Sequence, residues 1–294
     1  RVLDRESIRL DLSDMGFSTD ILANYQELLS RPHGVLLLTG PTGSGKTTTL
    51  YASLSNMDSE AMKIITVEDP VEYQLHGINQ IPVHAQIGLT FARALRSILR
   101  QDPDIIMVGE MRDTETAQIA VQSALTGHLV LSTLHTNTAT GAIVRLEDMG
   151  VERFLITAAV NGVLSQRLIR RLCDRCKRPA EMTKELLVDS GLSEFLEATE
   201  GAVYESVGCD ACKQTGYRGR LAIHELFVLD SSAQRKVLDG ADARQLHEHA
   251  RSSGMNTLYE DGLRKVAAGF SSLDEVLRVT QDQNGDVSET SYAA

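Results

Sequence analysis

Between residues 34 and 170 the chain switches repeatedly between two hydrophobic periods. Apolar runs at 35–38, 64–67, 105–108 and 129–132 have the length of strands buried on both faces, and the stretches between them carry apolar residues at helical spacing. Such alternation predicts an α/β fold, a parallel sheet with helices over both faces. The run at 105–108 follows Asp102-Pro103-Asp104. There the proline restricts the residue before it and sets a boundary after the helix predicted over 91–99.

Past Asp230 the strand-length runs stop and helix-start signals recur. Ser231 with Gln234, Asp242 with Gln245, Thr257 with Glu260 and Ser272 with Glu275 have or approach capping-box spacing, which predicts a small helical bundle. Leu258, Leu263, Val266, Ala267 and Phe270 form an apolar stripe that reads as its core. Residues 173–217, bracketed by two cysteine pairs, have little periodicity of their own and read as a small metal-stapled insert. The expected division is an end of an N-terminal domain and linker at 1–20, the main domain at 21–170, a tetracysteine subdomain at 171–220, a helical subdomain at 221–282 and a disordered tail at 283–294.

Composition narrows the class. At 294 residues, 42% hydrophobic and 23% charged, the chain has enough apolar material for one large or two moderate cores. No apolar run approaches the ~20 residues needed to span a bilayer, so direct membrane insertion is not expected. A net charge of -11 argues against a nucleic-acid partner, since such affinity comes mostly from Lys and Arg displacing counterions. Four cysteines in two tight pairs suit a metal in a reducing compartment, which predicts a cytoplasmic protein. The chain opens on Arg1 without an initiator methionine and reads as a piece that follows something else.

The strongest chemical signal is Gly40-Pro41-Thr42-Gly43-Ser44-Gly45-Lys46-Thr47, followed by Thr48, between a predicted strand and a predicted helix. This is a phosphate-binding loop in the context it needs: glycines let the backbone N–H groups converge on phosphate oxygens, and the helix start adds a positive dipole end. Lys46 would hold the β and γ phosphates of ATP, and Thr47 would ligand Mg²⁺. Nucleotide hydrolysis also needs a carboxylate at the end of a neighbouring strand. Glu110, ending the run at 105–108, fits by position. Glu68 is the candidate base for the attacking water, with Glu72 as competitor and a chemically silent acidic turn as the plain alternative.

His128 and His135 flank the run at 129–132 and could report phosphate state, one directly and one by coupling to neighbours. Arg93, Arg96 and Arg100 recur along one helix, and Arg112 and Arg145 also lie within the main domain. For Arg93 a solvated or salt-bridged helix face is the preferred reading. Cys173-x2-Cys176, a gap of 32 residues, and Cys209-x2-Cys212 make two thiolate hairpins able to close a tetrahedral Zn²⁺ site with no open position, hence a structural metal. Residues 166–177 concentrate Arg167, Arg170, Arg171, Arg175 and Lys177. That segment is either a surface for a neighbouring subunit or acidic membrane partner, or a solvated helix face.

These residues together resemble the secretion ATPase superfamily that drives type II secretion, type IV pilus assembly and pilus retraction. Four boxes carry the resemblance: the phosphate loop at 40–47, an aspartate box at 65–73, the strand ending in Glu110, and a histidine box at 126–135. It implies a RecA-like P-loop ATPase domain with a small zinc-binding insert and a C-terminal helical subdomain. It also implies assembly as a homo-hexamer, ATP near subunit boundaries, and Arg96, Arg100, Arg112 and Arg145 as site or interface residues. The cysteine module is typical of secretion and assembly motors rather than retraction motors. The stretches 86–100 and 216–226 look closer to type II secretion ATPases, with type IV pilus assembly as the alternative. Members carry an N-terminal region that supplies arginines and docks to an inner-membrane platform protein. With most of that region absent, weak hydrolysis and weak hexamer formation are expected.

Overall fold

The computed structural model describes residues 11–199 and 202–281, and the side chains of 197–199 are outside that description. The tail expected at 283–294 and the first half of the 1–20 segment also lie outside it. The strands are β1 (Gly34–Thr39), β2 (Ile64–Glu68), β3 (Asn79–Pro82), β4 (Ile105–Val108), β5 (Leu129–Leu134), β6 (Val160–Leu172), β7 (Arg178–Pro179), β8 (Tyr204–Glu205) and β9 (Tyr217–Val228). The helices through the first half are α1 (Thr19–Leu29), α2 (Lys46–Ser55), α3 (Phe91–Ile98), α4 (Thr114–Leu125), α5 (Gly141–Asp148) and α6 (Arg153–Ala159). They are followed by α7 (Lys184–Asp189), α8 (Leu192–Thr199), α9 (Ser231–Leu238), α10 (Ala243–Ser252), α11 (Leu258–Ala267) and α12 (Leu273–Thr280).

Contacts divide the chain into two units. One runs through Gln166 and resumes at His224–Thr257; the other holds Arg167–Ile223 and the chain from Leu258. The seven-stranded sheet has the order β3-β2-β4-β5-β1-β6-β9 and is parallel from β3 through β6. It is the parallel α/β sheet that the hydrophobic pattern predicts.

The period of two along a strand separates two apolar layers in the first unit. Val35, Leu37, Ile106, Val108 and Val130 join a core with residues of α3 to α6, α9 and α10. Leu36, Leu38, Ile105, Met107, Leu129 and Leu131 join a second core with α1 and α2. Both faces are therefore covered, which is why these strands read as continuous apolar runs rather than alternating ones.

In the second unit a smaller core gathers Ile169, Leu192, Ile223, Leu258, Leu263, Val266 and Val276. Of the apolar stripe, Leu258 through Ala267 is buried, whereas Phe270 is 42% exposed and lies under the Arg171 guanidinium at 5.6 Å. Glu275 anchors this unit. Its carboxylate accepts from the Arg170 backbone N–H at 3.0 Å, from Arg170 Nη2 at 2.7 Å and from Arg278 Nη2 at 2.7 Å. The Arg170 guanidinium also sits 4.0 Å from the Tyr217 ring centre.

Three expectations change. The helix face considered for the basic segment is a strand as far as Leu172, with Arg167 buried and Arg170 and Arg171 exposed. The stretch expected as one helical subdomain at 221–282 is divided. Helices α9 and α10 pack on the first unit through Ala233, Val237, Leu246 and Ala250, while α11 and α12 pack in the second. The cap of α9 is Asp230 rather than Ser231, because the Asp230 carboxylate reaches the N–H groups of Ser232 and Ala233. At α10 the expected capping box forms between Asp242 and Gln245.

Candidate active site

Strand β1 ends at Thr39 and the chain turns through Gly40-Pro41-Thr42-Gly43-Ser44-Gly45 into α2. Two glycines are required here by geometry. Gly45 caps α2 at φ 91°, in the left-handed region, and a side chain on Gly40 would meet the Gln166 carbonyl oxygen at 2.3 Å. Pro41, Thr42, Gly43, Thr47 and Thr48 are exposed, so the loop and the first turn of α2 open outward. Ser44 and Lys46 are buried. Lys46 Nζ donates to the carbonyls of Gly40 at 2.7 Å and Pro41 at 3.1 Å. Burial holds its pKa below the usual lysine value, and the nearby Glu110 charge works against that fall.

Gln166, which carried no chemical signal in the sequence, braces this loop. Its Nε2 donates to Ser44 O at 2.8 Å and its Oε1 accepts from Thr49 Oγ1 at 2.8 Å, so one amide ties the loop to α2. Thr39 does similar work at the end of β1, where its hydroxyl meets Thr136 Oγ1 at 2.6 Å and receives the Thr136 N–H at 2.8 Å.

Because the strands are parallel, the chain leaves β1, β2, β4 and β5 at one sheet edge, and both acidic candidates, Glu68 and Glu110, end up along that edge. Glu110 lies just past β4. It pairs with Arg112 Nη2 and has His135 Nε2 at 3.5 Å from its other oxygen. The Thr133 hydroxyl holds the preceding Gly109 carbonyl at 2.8 Å, which fixes the turn. Arg112 is shifted further toward its charged form by the Glu110 hydrogen bond, with Asp69 adding to it. Glu68 ends β2 and is 3% exposed. It accepts from the Tyr51 hydroxyl, from Thr66 Oγ1 at 2.5 Å and from Gln80 Nε2 at 3.1 Å. The Glu72 N–H donates to the Tyr51 oxygen at 3.3 Å.

The edge therefore gathers Lys46, Glu110, Arg112, His135 and Glu68, and leaves other candidates elsewhere. His128 lies at the other end of its strand from the loop. It precedes β5 instead of following it, its carbonyl receives the Gly34 N–H at the start of β1, and its ring bonds Ser123 O at 2.8 Å. The six residues of β1 put it about 20 Å from the loop. Arg100 lies at that same strand-start edge, beside Gln101, whose carbonyl receives the Lys63 ammonium. Arg96 pairs with Glu115 at 2.6 Å on the surface, and Arg145 is exposed on α5.

The second unit brings the four cysteines together. Their Sγ atoms all lie within 4.8 Å of one another, with Cys173–Cys209 at 3.9 Å, Cys176–Cys212 at 3.8 Å and Cys209–Cys212 at 3.7 Å. A tetrahedron of thiolates around a metal at about 2.3 Å has edges of about 3.8 Å, so the donor set fits. Burial opposes the Cys212 thiolate, but N–H groups of Cys209 at 3.1 Å and Gly216 at 3.2 Å outweigh it and bring the pKa to about 6. These four could hold one metal ion with no position left for substrate.

A profile of the family described as "Type II/IV secretion system protein" matches residues 1–278. "Type II secretion system ATPase E" of Vibrio cholerae is 51% identical over 284 residues, covering 96% of this chain and 55% of that protein. "Type IV pilus assembly ATPase PilB" of Myxococcus xanthus is 51% identical over 278 residues, covering 94% and 49%. Among solved structures, the pilus retraction motor PilT with bound ADP has a TM-score of 0.69 at 28% identity, covering 95% of this chain and 68% of that one. The chain spans about half the length of the curated relatives it matches.

Proposed function

The chain belongs to the type II/IV secretion system protein family, and from that premise we propose that it is the ATP-hydrolysing core of a type II secretion motor. The observation that carries the proposal is the shared sheet edge, where the phosphate loop with its buried Lys46 meets Glu110, Arg112 and His135. In this reading, water attacks the γ-phosphorus of ATP, the bond to the ADP oxygen breaks, and the water proton passes to Glu68. Lys46 and the loop N–H groups oppose the charge that gathers on the phosphoryl oxygens. Thr47 and Glu110 would hold Mg²⁺, which would supply Lewis-acid stabilisation of the phosphates there.

His128 and Arg100, at the opposite edge of the sheet from the loop, would take roles toward a neighbouring copy in a homo-hexamer, and the family resemblance gives Arg96 and Arg145 the same part. The four thiols would hold a structural Zn²⁺. No helix of the described residues is long and apolar enough to cross a membrane. Attachment to the cytoplasmic side of the inner membrane would then run through a platform partner, as the family resemblance implies.

A second reading, type IV pilus assembly, is favoured by the equal identity to the PilB relative. A nucleotide-gated scaffold is the non-enzymatic competitor. Restoring export and piliation separately in null strains tells the first two apart: rescue of export alone supports type II secretion, and rescue of pili alone contradicts it. Glu110→Gln addresses the third. Assembly retained with export lost supports the motor, whereas export retained supports the scaffold.

A further inference from the structure

We infer that Tyr51 is a positioning residue that aims the Glu68 carboxylate, an inference that rests on Glu68 being the base in the reading above. A carboxylate offers about four acceptor directions. In this structure three are taken: the Tyr51 hydroxyl on Oε2, and Thr66 and Gln80 on Oε1. One direction is left, on the oxygen that Tyr51 holds. The hydroxyl therefore decides which way the remaining lone pair points, at a carboxylate only 3% exposed and unable to reorient into bulk water.

Tyr51 is itself fixed. Its ring is fully buried and meets the Tyr73 ring edge-on at 4.6 Å, and its oxygen is also approached by the Glu72 N–H at 3.3 Å and by Gln80 Nε2 at 3.4 Å. Burial, with the Glu68 carboxylate adding to it, drives the Tyr51 pKa well above the ordinary phenol value, so the hydroxyl remains a donor. Tyr51 lies on α2, five residues after Lys46 and about 7.5 Å further along the helix axis. The helix that presents the lysine to phosphate thus also carries the group that orients the base. The sequence gives no separate sign of this, since a tyrosine at a buried helical position reads as core.

The test is Tyr51→Phe in the assembled protein, with kcat and ADP affinity measured together. Removing one oxygen while keeping the ring should lower kcat by about tenfold, the scale of misaligning one catalytic group, and leave ADP affinity within about twofold. A thermal melt keeps loss of folding separate from loss of aim. An unchanged kcat overturns the inference. ADP affinity falling by the same factor as kcat overturns it too, because Tyr51 would then only support α2. Glu68→Gln distinguishes the two levels: wild-type turnover in that variant removes the base assignment itself, whereas loss of turnover there beside a normal Tyr51→Phe removes only the role of Tyr51.

Discussion

In the first unit, buried polar groups such as Thr39, Gln166 and Glu68 sit within a sheet whose two apolar layers are built from opposite faces of the same strands. In the second unit one smaller core, centred on Ile223, Leu258 and Val266, is joined by four thiols and by a carboxylate shared between two arginines. The first unit can hold buried polar and charged groups because hydrophobic burial on both sides stabilises the frame. The second has less apolar surface to bury and depends on directional bonds, as small domains do.

The largest effect that would break this contrast is metal removal. Structural zinc in small domains is worth about 10–16 kcal/mol, so chelation or Cys209→Ser should unfold the second unit. Hydrogen exchange would show protection lost across α11 and α12 and kept across β1, β4 and β5. Retained protection in α11 and α12 would mean that the core, not the thiols, holds that unit.

Next in size is Glu275. Its partners Arg170 and Arg278 are largely exposed, so Glu275→Gln strands no buried charge but loses charge-assisted hydrogen bonds, and should lower the stability of the second unit by about 2–3 kcal/mol. Burial disfavours the Glu275 carboxylate, but hydrogen bonds from Arg278 and Arg170 outweigh it and hold the pKa near 2 against an ordinary 4.5. A depressed carboxylate pKa stabilises the fold above the unfolded value and loses that contribution as pH falls toward the folded value. Stability of the second unit should therefore drop between about pH 4.5 and pH 2. In Glu275→Gln that part of the acid slope should vanish.

Two smaller changes sharpen the picture in the first unit. Gln166→Ala removes two hydrogen bonds, worth about 1–3 kcal/mol together, and should weaken nucleotide affinity more than it lowers the melting temperature. Equal loss in both would make Gln166 a packing residue. Asp242→Ala deletes the cap of α10 and should cost about 1 kcal/mol, read as a small shift in chemical denaturation with nucleotide affinity unchanged.

Legibility in the sequence followed the same divide. Strands β1, β2, β4 and β5 were readable because both their faces are apolar. Strand β3 was not, since Asn79, Gln80 and Pro82 leave it one apolar residue, and β6 was hidden by Gln166, Arg167, Arg170 and Arg171. Capping signals located α10 and α12, but a cap is a local bond and says nothing of which core a helix joins. That is why α9 and α10 parted from α11 and α12. The phosphate loop and the thiol pairs were legible because their chemistry needs residues close in sequence. His128 and His135 looked equivalent by spacing, and only the direction of β5 separates them, putting His135 beside Glu110 and His128 at the other end.

Phosphate release from ATP, measured on the chain assembled through a hexamer-forming tag with Lys46→Ala and Glu110→Gln alongside, decides whether this sheet edge hydrolyses nucleotide. Turnover is expected in the unaltered protein and lost in both variants, with nucleotide binding lost in Lys46→Ala and kept in Glu110→Gln. Turnover indifferent to Lys46, or wild-type turnover in Glu110→Gln, would contradict the roles assigned to these two residues.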